Sequence, residues 1–332
     1  MQRSKLPEEL QTEEILVVDS LKVYHPIRKL FSIVGYVRAV DDVSLKVRAG
    51  EVLAVVGESG CGKTTLARAV MKLIPVTSGR IVFNAVDITN LPAKLVRSWY
   101  SRQVGFVQQD PYGAMPPFMN IKTILEEPMK IHKVPPEERK KRVVEVLEEV
   151  GLTPPEDFLP KYPHMLSGGQ LQRVAIARAI LMYPKLLIAD EPVSMLDASV
   201  RIEILMLFKE LQQKYKSATI YITHDFATAK YFSERIAVMY AGKIVEVGDS
   251  RSVINNPLHP YTKALIEVLP DPDPQNRFTI KKTLPGEPPN LINPPPGCRL
   301  WPRCPYAFDK CKREEPPLLD VKGRLVKCWL YE

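Results

Sequence analysis

Short apolar runs alternate with amphipathic stretches along most of the chain. Ile15, Leu16, Val17 and Val18, followed by Leu21 and Val23, predict a first strand over residues 14–23 that closes at Tyr24. Residues 26–35, opened by Pro26 and closed by Gly35, read as an irregular insertion. Val40, Val43, Leu45 and Val47 alternate with polar residues and predict a second strand, turning at Ala49 and Gly50. Residues 52–56 are a short apolar run that predicts a third strand. Residues 81–83 and 86–88 predict a hairpin over Asn84 and Ala85, although the turn lacks its favoured glycine. A helix is expected over 91–101 and a strand over 104–107. Residues 137–150 carry Val143, Val144, Leu147 and Val150 on one face and stop at Gly151, an amphipathic helix with a glycine cap. Further along, a helix over 170–182, a strand over 186–189, a helix over 199–215 and a strand over 219–222 follow. Residues 237–239 pair with 244–246 across Ala241 and Gly242. Strand alternating with helix predicts an α/β fold built on a parallel sheet covered on both faces. Residues 116–181 depart from that rhythm and read as an inserted helical subdomain.

Composition adds a boundary. At 332 residues with 45% apolar content, the chain accommodates one large α/β domain and a smaller appendage. From Leu269 onward prolines crowd in (Pro270, Pro272, Pro274, Pro285, Pro288, Pro289, Pro294, Pro295 and Pro296), so 269–296 is read as an extended linker. The expected organisation is a main domain over 1–268, that linker, and a tail over 297–332. The tail has few aliphatic residues and would need a staple to hold a fold of its own. The first ten residues are charged and hold no signal-peptide core, and no run of about 18 apolar residues exists to span a bilayer. The expectation is a soluble protein, or one held at a membrane through a partner. The net charge of +8 fits ordinary solubility, and equally fits nucleotide, nucleic acid or anionic lipid.

The candidate chemistry begins after the strand 52–56. Gly57, Ser59, Gly60, Cys61, Gly62, Lys63, Thr64 and Thr65 form G-x-x-x-x-G-K-T-T between a strand and a helix. Glycines let backbone N–H groups turn toward phosphate oxygens, and the opening helix points its positive end at the same anion. Lys63 supplies a point charge, and the Thr64 hydroxyl suits magnesium. A second signal is the strand 186–189 ending in Asp190 and Glu191: the first can reach a magnesium shell, the second can polarise a water. A third is Leu166-Ser167-Gly168-Gly169-Gln170, which opens another helix and offers a second anion-binding terminus. Two phosphate-seeking helix starts with one glycine loop suggest a site shared by two copies.

Together these residues resemble the ATP-binding-cassette family. Residues 57–64 look like its Walker A, 166–170 its signature motif, and Asp190-Glu191 its Walker B and catalytic glutamate. Gln109, in Gln-Asp-Pro after a strand, resembles the Q-loop. Residues 194–197 (Ser-Met-Leu-Asp) resemble the D-loop, with Met195 where alanine is commoner, and His224 matches the switch histidine. Six motifs stand in the family's order over residues 15–248. The resemblance implies a P-loop NTPase core and a head-to-tail dimer with two ATP molecules. Each would lie between Lys63 and Thr64 of one subunit and Ser167 and Gly169 of the other. It also implies Glu191, His224 and Gln109 as catalytic residues, Asp197 as a nucleotide contact, and magnesium held by Thr64, Gln109 and Asp190. Tyr24 stands where the family places its adenine-stacking aromatic; Tyr36, beyond the insertion, is the alternative.

The C-terminal part narrows the resemblance. His259-Pro260-Tyr261-Thr262, and the run from Pro295 through Cys298 and Cys304, look like the ATPases of oligopeptide and dipeptide importers. That implies a second ATPase subunit, two transmembrane permease subunits, an extracytoplasmic binding protein acting indirectly, and a peripheral place on the cytoplasmic face of the membrane. No nucleic acid is expected. The rival is a cytosolic cassette acting on ribosomes or nucleic acid, which usually carries two cassettes or long coiled coils. In the resembling ATPases the tail cysteines hold an iron–sulfur cluster, a four-iron one in the better-studied cases, which marks Cys298, Cys304, Cys311 and Cys328. Spacing alone leaves the matter open. Five, six and sixteen residues intervene between successive cysteines, and iron–sulfur, zinc, free thiols and disulfides all stand. A reducing compartment disfavours disulfides.

Overall fold

The computed structural model describes residues 13–30, 32–269 and 284–332. The first ten residues and Pro270, Pro272 and Pro274 of the expected linker lie outside these. Twelve strands are found among the described residues: β1 (Glu14–Lys29), β2 (Ser32–Arg48), β3 (Val52–Val56), β4 (Ser78–Phe83), β5 (Val86–Asp87), β6 (Val104–Val107), β7 (Leu186–Asp190), β8 (Ala218–Thr223), β9 (Arg235–Tyr240), β10 (Lys243–Asp249), β11 (Leu319–Val321) and β12 (Arg324–Val326). The chain divides into two units. One takes the chain up to Val17, Lys46–Val52 and Val82–Ile222; the other takes Val18–Leu45, Leu53–Ile81 and Thr223–Glu332.

In the first unit β6, β7 and β8 run parallel, with Phe106 beside Ile188 and Ile188 beside Ile220. Every residue of β7 and β8 is buried, including Asp190, Thr219 and Thr223 among their apolar neighbours. Full burial of an Ile or Leu side chain contributes about 1.5–3 kcal/mol, so such a strand is a strong organiser. Four helices accompany it: Ile121–Ile131, Pro136–Glu149, Gly168–Ile180 and Ala198–Tyr215. A buried arginine ties three of them together. Arg142 donates to the Leu181 carbonyl (3.3 Å), to Glu149 (3.1 Å) and to the Tyr215 hydroxyl (3.1 Å), and lies 4.1 Å above the Tyr183 ring. Two local features differ from expectation. Asn84 and Ala85 both take positive φ (45° and 63°), so the β4–β5 turn is of the tight mirror-image type without glycine. The expected helix over 91–101 contains a wider turn, Val96–Tyr100, which brings Tyr100 edge-on to Phe83 at 5.2 Å.

In the second unit β3 pairs parallel with β9, with Val56 beside Val238, and β9 continues antiparallel into β10 across the Ala241–Gly242 turn. β10 then accepts β12, with Glu246 beside Val326, and β11 pairs with β12. Residues 319–326 of the tail thus extend this sheet. The stretch expected to be irregular, 26–35, is the outer part of a long β1–β2 hairpin among its described residues. Pro26 removes one donor, and the strand tolerates it where no partner N–H is needed.

Candidate functional site

β3 delivers the chain to the glycine loop, and the helix Lys63–Val70 starts immediately after it. A Cβ on Gly57 would strike the Met239 carbonyl oxygen, and one on Gly62 would strike that of Ala39. Gly62 also holds φ +110°, so the loop requires glycine at both positions. Lys63 is the first residue of the helix and only 5% exposed. Its ammonium donates to the carbonyls of Gly57 (2.7 Å) and Glu58 (3.0 Å), curled beneath the loop. The buried Cys61 thiol is pushed up by desolvation and stays neutral. Ser59 and Gly60 face solvent, while Thr64 and Thr65 are half-buried in the first turn, whose N–H groups are offered to an anion.

The same unit fixes the loop from below. The Tyr261 hydroxyl accepts the Glu58 N–H at 3.0 Å, and the Gly242 N–H donates to the Cys61 carbonyl at 2.8 Å. The Tyr24 hydroxyl donates to Asp41 at 2.5 Å, and the Arg38 guanidinium lies 5.9 Å from the Tyr24 ring. Burial and the Asp41 bond push the Tyr24 hydroxyl up to about 12. Burial pushes the Asp41 carboxyl up too, but the Tyr24 bond and the charges of Lys243 and Arg299 prevail and hold it below the usual range. Tyr36, the alternative aromatic, is 47% exposed. His224 is exposed just after β8, beside Asp225, which caps the helix Phe226–Phe232 by accepting the Ala227 N–H at 2.8 Å.

In the other unit Asp190 ends β7 and is 5% exposed. Glu191 follows at φ +47°, an uncommon backbone for a residue with a side chain, held by its N–H to the Ile222 carbonyl at 2.9 Å. Its carboxylate accepts the Gln109 amide at 3.2 Å, so these two sequence-predicted residues meet. Ser167 and Gln170 form a reciprocal cap on the helix Gly168–Ile180, the serine accepting the Gln170 N–H (3.3 Å) and the glutamine accepting the Ser167 N–H (3.1 Å). Gly169 sits in the first turn of that helix, and the exposed Asp197 precedes the helix Ala198–Tyr215. Tyr112, three residues past Gln109, reaches the Leu166 carbonyl at 3.5 Å. Thr64 in one unit, and Gln109 and Asp190 in the other, each carry an oxygen donor of the hard type that magnesium prefers.

Sequence reasoning missed Asp41, Tyr112, Gly242 and the role of Tyr261. The Tyr261–Glu58 contact spans 203 residues, and no local pattern signals so long a reach.

The iron–sulfur expectation is corrected. Cys298, Cys304, Cys311 and Cys328 line one cavity with Trp301, Trp329, Leu300 and Leu330, but its volume is only about 10 Å³. That is room for about one water. Burial raises the Cys298 thiol to about 12, and also raises Cys304 and Cys328. Among the described residues no cluster of His, Cys, Asp and Glu is arranged to hold a metal ion, and all five cysteines are free. The tail holds itself differently: β12 joins β10, and Glu315 bridges Lys243 (2.6 Å) and Lys327 (2.5 Å).

Two family models match. Residues 40–194 match that of the ABC transporter, and residues 245–311 that of the oligopeptide/dipeptide transporter C-terminal region. A probable peptide ABC transporter ATP-binding protein of Sinorhizobium fredii is 44% identical over 321 residues, covering 96% of this chain and 90% of that protein. An oligopeptide transport ATP-binding protein of Bacillus subtilis is 40% identical over 326 residues, covering 96% and 98%. Among solved structures, a dimeric bacterial ABC transporter cassette superposes with a TM-score of 0.64 at 28% identity, covering 71% of this chain and 99% of the cassette.

Proposed function

The chain belongs to the ABC transporter family, and from that premise we propose that it is the ATP-hydrolysing subunit of an importer for oligopeptides or dipeptides. The observation that carries this reading is the phosphate loop: two positions closed to any side chain, and Lys63 held beneath them at the start of a helix. The match of residues 245–311 to the oligopeptide/dipeptide transporter C-terminal region supports the substrate class. The rival cassette acting on ribosomes or nucleic acid is not favoured, since the relatives above are named for transport.

In this reading Gly57, Ser59, Gly60, Cys61, Gly62, Lys63, Thr64 and Thr65 bind the phosphates, and Tyr24 stacks on adenine. Thr64, Gln109 and Asp190 hold magnesium, which when bound neutralises phosphate charge. Glu191 orients or deprotonates the water, supported by its bond to Gln109. His224 contacts the γ-phosphate. Ser167 and Gly169 serve the nucleotide of a second ATPase subunit, and Asp197 is a further nucleotide contact. Residues 1–268 act as the nucleotide-binding domain, with a short helix of a membrane subunit docking near Gln109 and the helical subdomain 116–181; the transporter has two such permease subunits and is fed by an extracytoplasmic binding protein. No helix among the described residues is long and apolar enough to cross a membrane, in keeping with a peripheral place on its cytoplasmic face.

The test is uptake of a labelled dipeptide or oligopeptide by vesicles holding this chain with its membrane subunits. Peptide entry that requires ATP, and stops with Glu191→Gln, is expected. ATP hydrolysis that no peptide couples to transport would overturn the substrate; absence of hydrolysis would overturn the whole reading.

A further inference from the structure

Two arginines of the tail reach the nucleotide-side residues of their own unit. Arg303 is 8% exposed and donates to the Glu58 carboxylate and the Tyr240 hydroxyl, each at 3.4 Å, and to the Pro285 carbonyl at 3.1 Å. Arg299, 6% exposed, donates one arm to the Asp41 carboxylate and another to the Ala241 carbonyl. The anchors on the core side share a property. Glu58 lies in the phosphate loop, and its own N–H is held by Tyr261. Asp41 accepts the Tyr24 hydroxyl through its other oxygen, and its N–H donates to the Gly242 carbonyl at 2.8 Å. Gly242 in turn grips the Cys61 carbonyl of the loop. Each arginine is thus one bond away from a residue of the candidate nucleotide site.

We propose that Arg299 and Arg303 are positioning residues for the nucleotide: Arg303 sets the phosphate loop through Glu58, and Arg299 sets the adenine-side ring of Tyr24 through Asp41. The proposal rests on the reading that this loop and Tyr24 bind ATP. A merely structural role would stitch the tail to the core and leave ligand preference untouched. The two arms of Arg299 diverge to a carboxylate and a carbonyl, a fork that a lysine point charge cannot reproduce. Arg303 makes one long contact with Glu58, which lysine can partly restore.

The experiment measures equilibrium binding of ATP and of inorganic tripolyphosphate, which lacks adenosine, to the full-length chain. Arg303→Ala should weaken both ligands by a similar factor, about tenfold or more for loss of a charged hydrogen bond. Arg303→Lys should recover part of that loss. Arg299→Ala should weaken ATP by about the same factor but tripolyphosphate clearly less, and Arg299→Lys should not recover ATP. In a cycle with Glu58→Ala, the Arg303→Ala loss should largely vanish. Where an alanine variant fails to fold, Arg303→Gln and Arg299→Gln carry the same comparison. Folded variants that bind both ligands within twofold of the unaltered chain would overturn the proposal, as would equal losses of ATP and tripolyphosphate in Arg299→Ala. Failure of the underlying reading would show differently, as an unaltered chain that does not bind ATP.

Discussion

The side-chain amide of Gln109 donates to the carboxylate of Glu191 at 3.2 Å. One residue follows β6 by two positions and the other directly follows β7, so neighbouring parallel strands deliver both to the same edge of their unit. Glu191 is further fixed by its unusual backbone and by its N–H bond to Ile222. In the proposed function this carboxylate accepts the water proton. Glu191→Gln should therefore bind ATP with an affinity near that of the unaltered chain while its steady-state turnover drops at least ~100-fold, the scale of a lost general base. Near-normal hydrolysis by this variant would remove Glu191 from the mechanism.

Lys63 spends its buried ammonium on two loop carbonyls, at 2.7 and 3.0 Å. Lys63→Ala removes the brace under the loop and, in the proposed function, the charge that meets phosphate. Binding of ATP should weaken by ~10-fold or more, the scale of one charge-assisted interaction. Isothermal titration with ATP checks it; an unchanged affinity would contradict the phosphate role.

Tyr261 is fully buried, and its hydroxyl accepts the Glu58 N–H. Tyr261→Phe keeps the ring and leaves that amide without its acceptor. The expected cost is about 1–3 kcal/mol of stability, together with a looser phosphate loop. Urea unfolding read beside ATP affinity checks both, and a variant unchanged in each would show the hydroxyl to be dispensable.

His259 gives a pH dependence. Burial lowers its imidazole from about 6.5 to about 3, so the folded chain keeps it neutral while the unfolded chain protonates it below about 6.5. The unfolded state then binds more protons, and stability falls as the pH drops from about 6.5 toward about 3, by up to ~1.4 kcal/mol per pH unit. His259 Nδ1 also caps the helix Pro260–Glu267 by accepting the Tyr261 N–H at 3.2 Å. His259→Asn retains a capping acceptor and loses the titration. Denaturant midpoints at pH 7.5 and 5 should differ less in this variant than in the unaltered chain; equal differences would exclude His259 as the source.

The legible parts of this molecule were those whose signal is local. The unbroken apolar run over 186–189 announced a buried strand, and the run over 52–56 with the glycines after it announced a strand, a loop and a helix start. The Ser167–Gln170 spacing marked a helix start, and the two side chains do cap one another. What escaped notice was set by partners far along the chain. Pro26 obscured the β1–β2 hairpin, whose strands are long enough to absorb one missing donor. Ala85 occupies a left-handed turn position that sequence assigns to glycine. Asp41, Arg299 and Arg303 are unremarkable in sequence, because their meaning comes from contacts across more than 200 residues. The cysteine tail misled for the same reason. Read alone it lacked a core, whereas in the fold it leans on Asp41, Lys243 and β10.

The pairing of β12 with β10 has a further effect on how this chain behaves when shortened. β10 carries Ile244, Val245 and Val247 between β9 on one side and β12 on the other. Trimming away the last segment would bare the edge of β10 at Glu246 and Val247, beside apolar side chains, a template onto which foreign strands add. A truncated version would therefore clump with its own kind, its failure arising from lost solubility at that seam, with the catalytic groups themselves still intact.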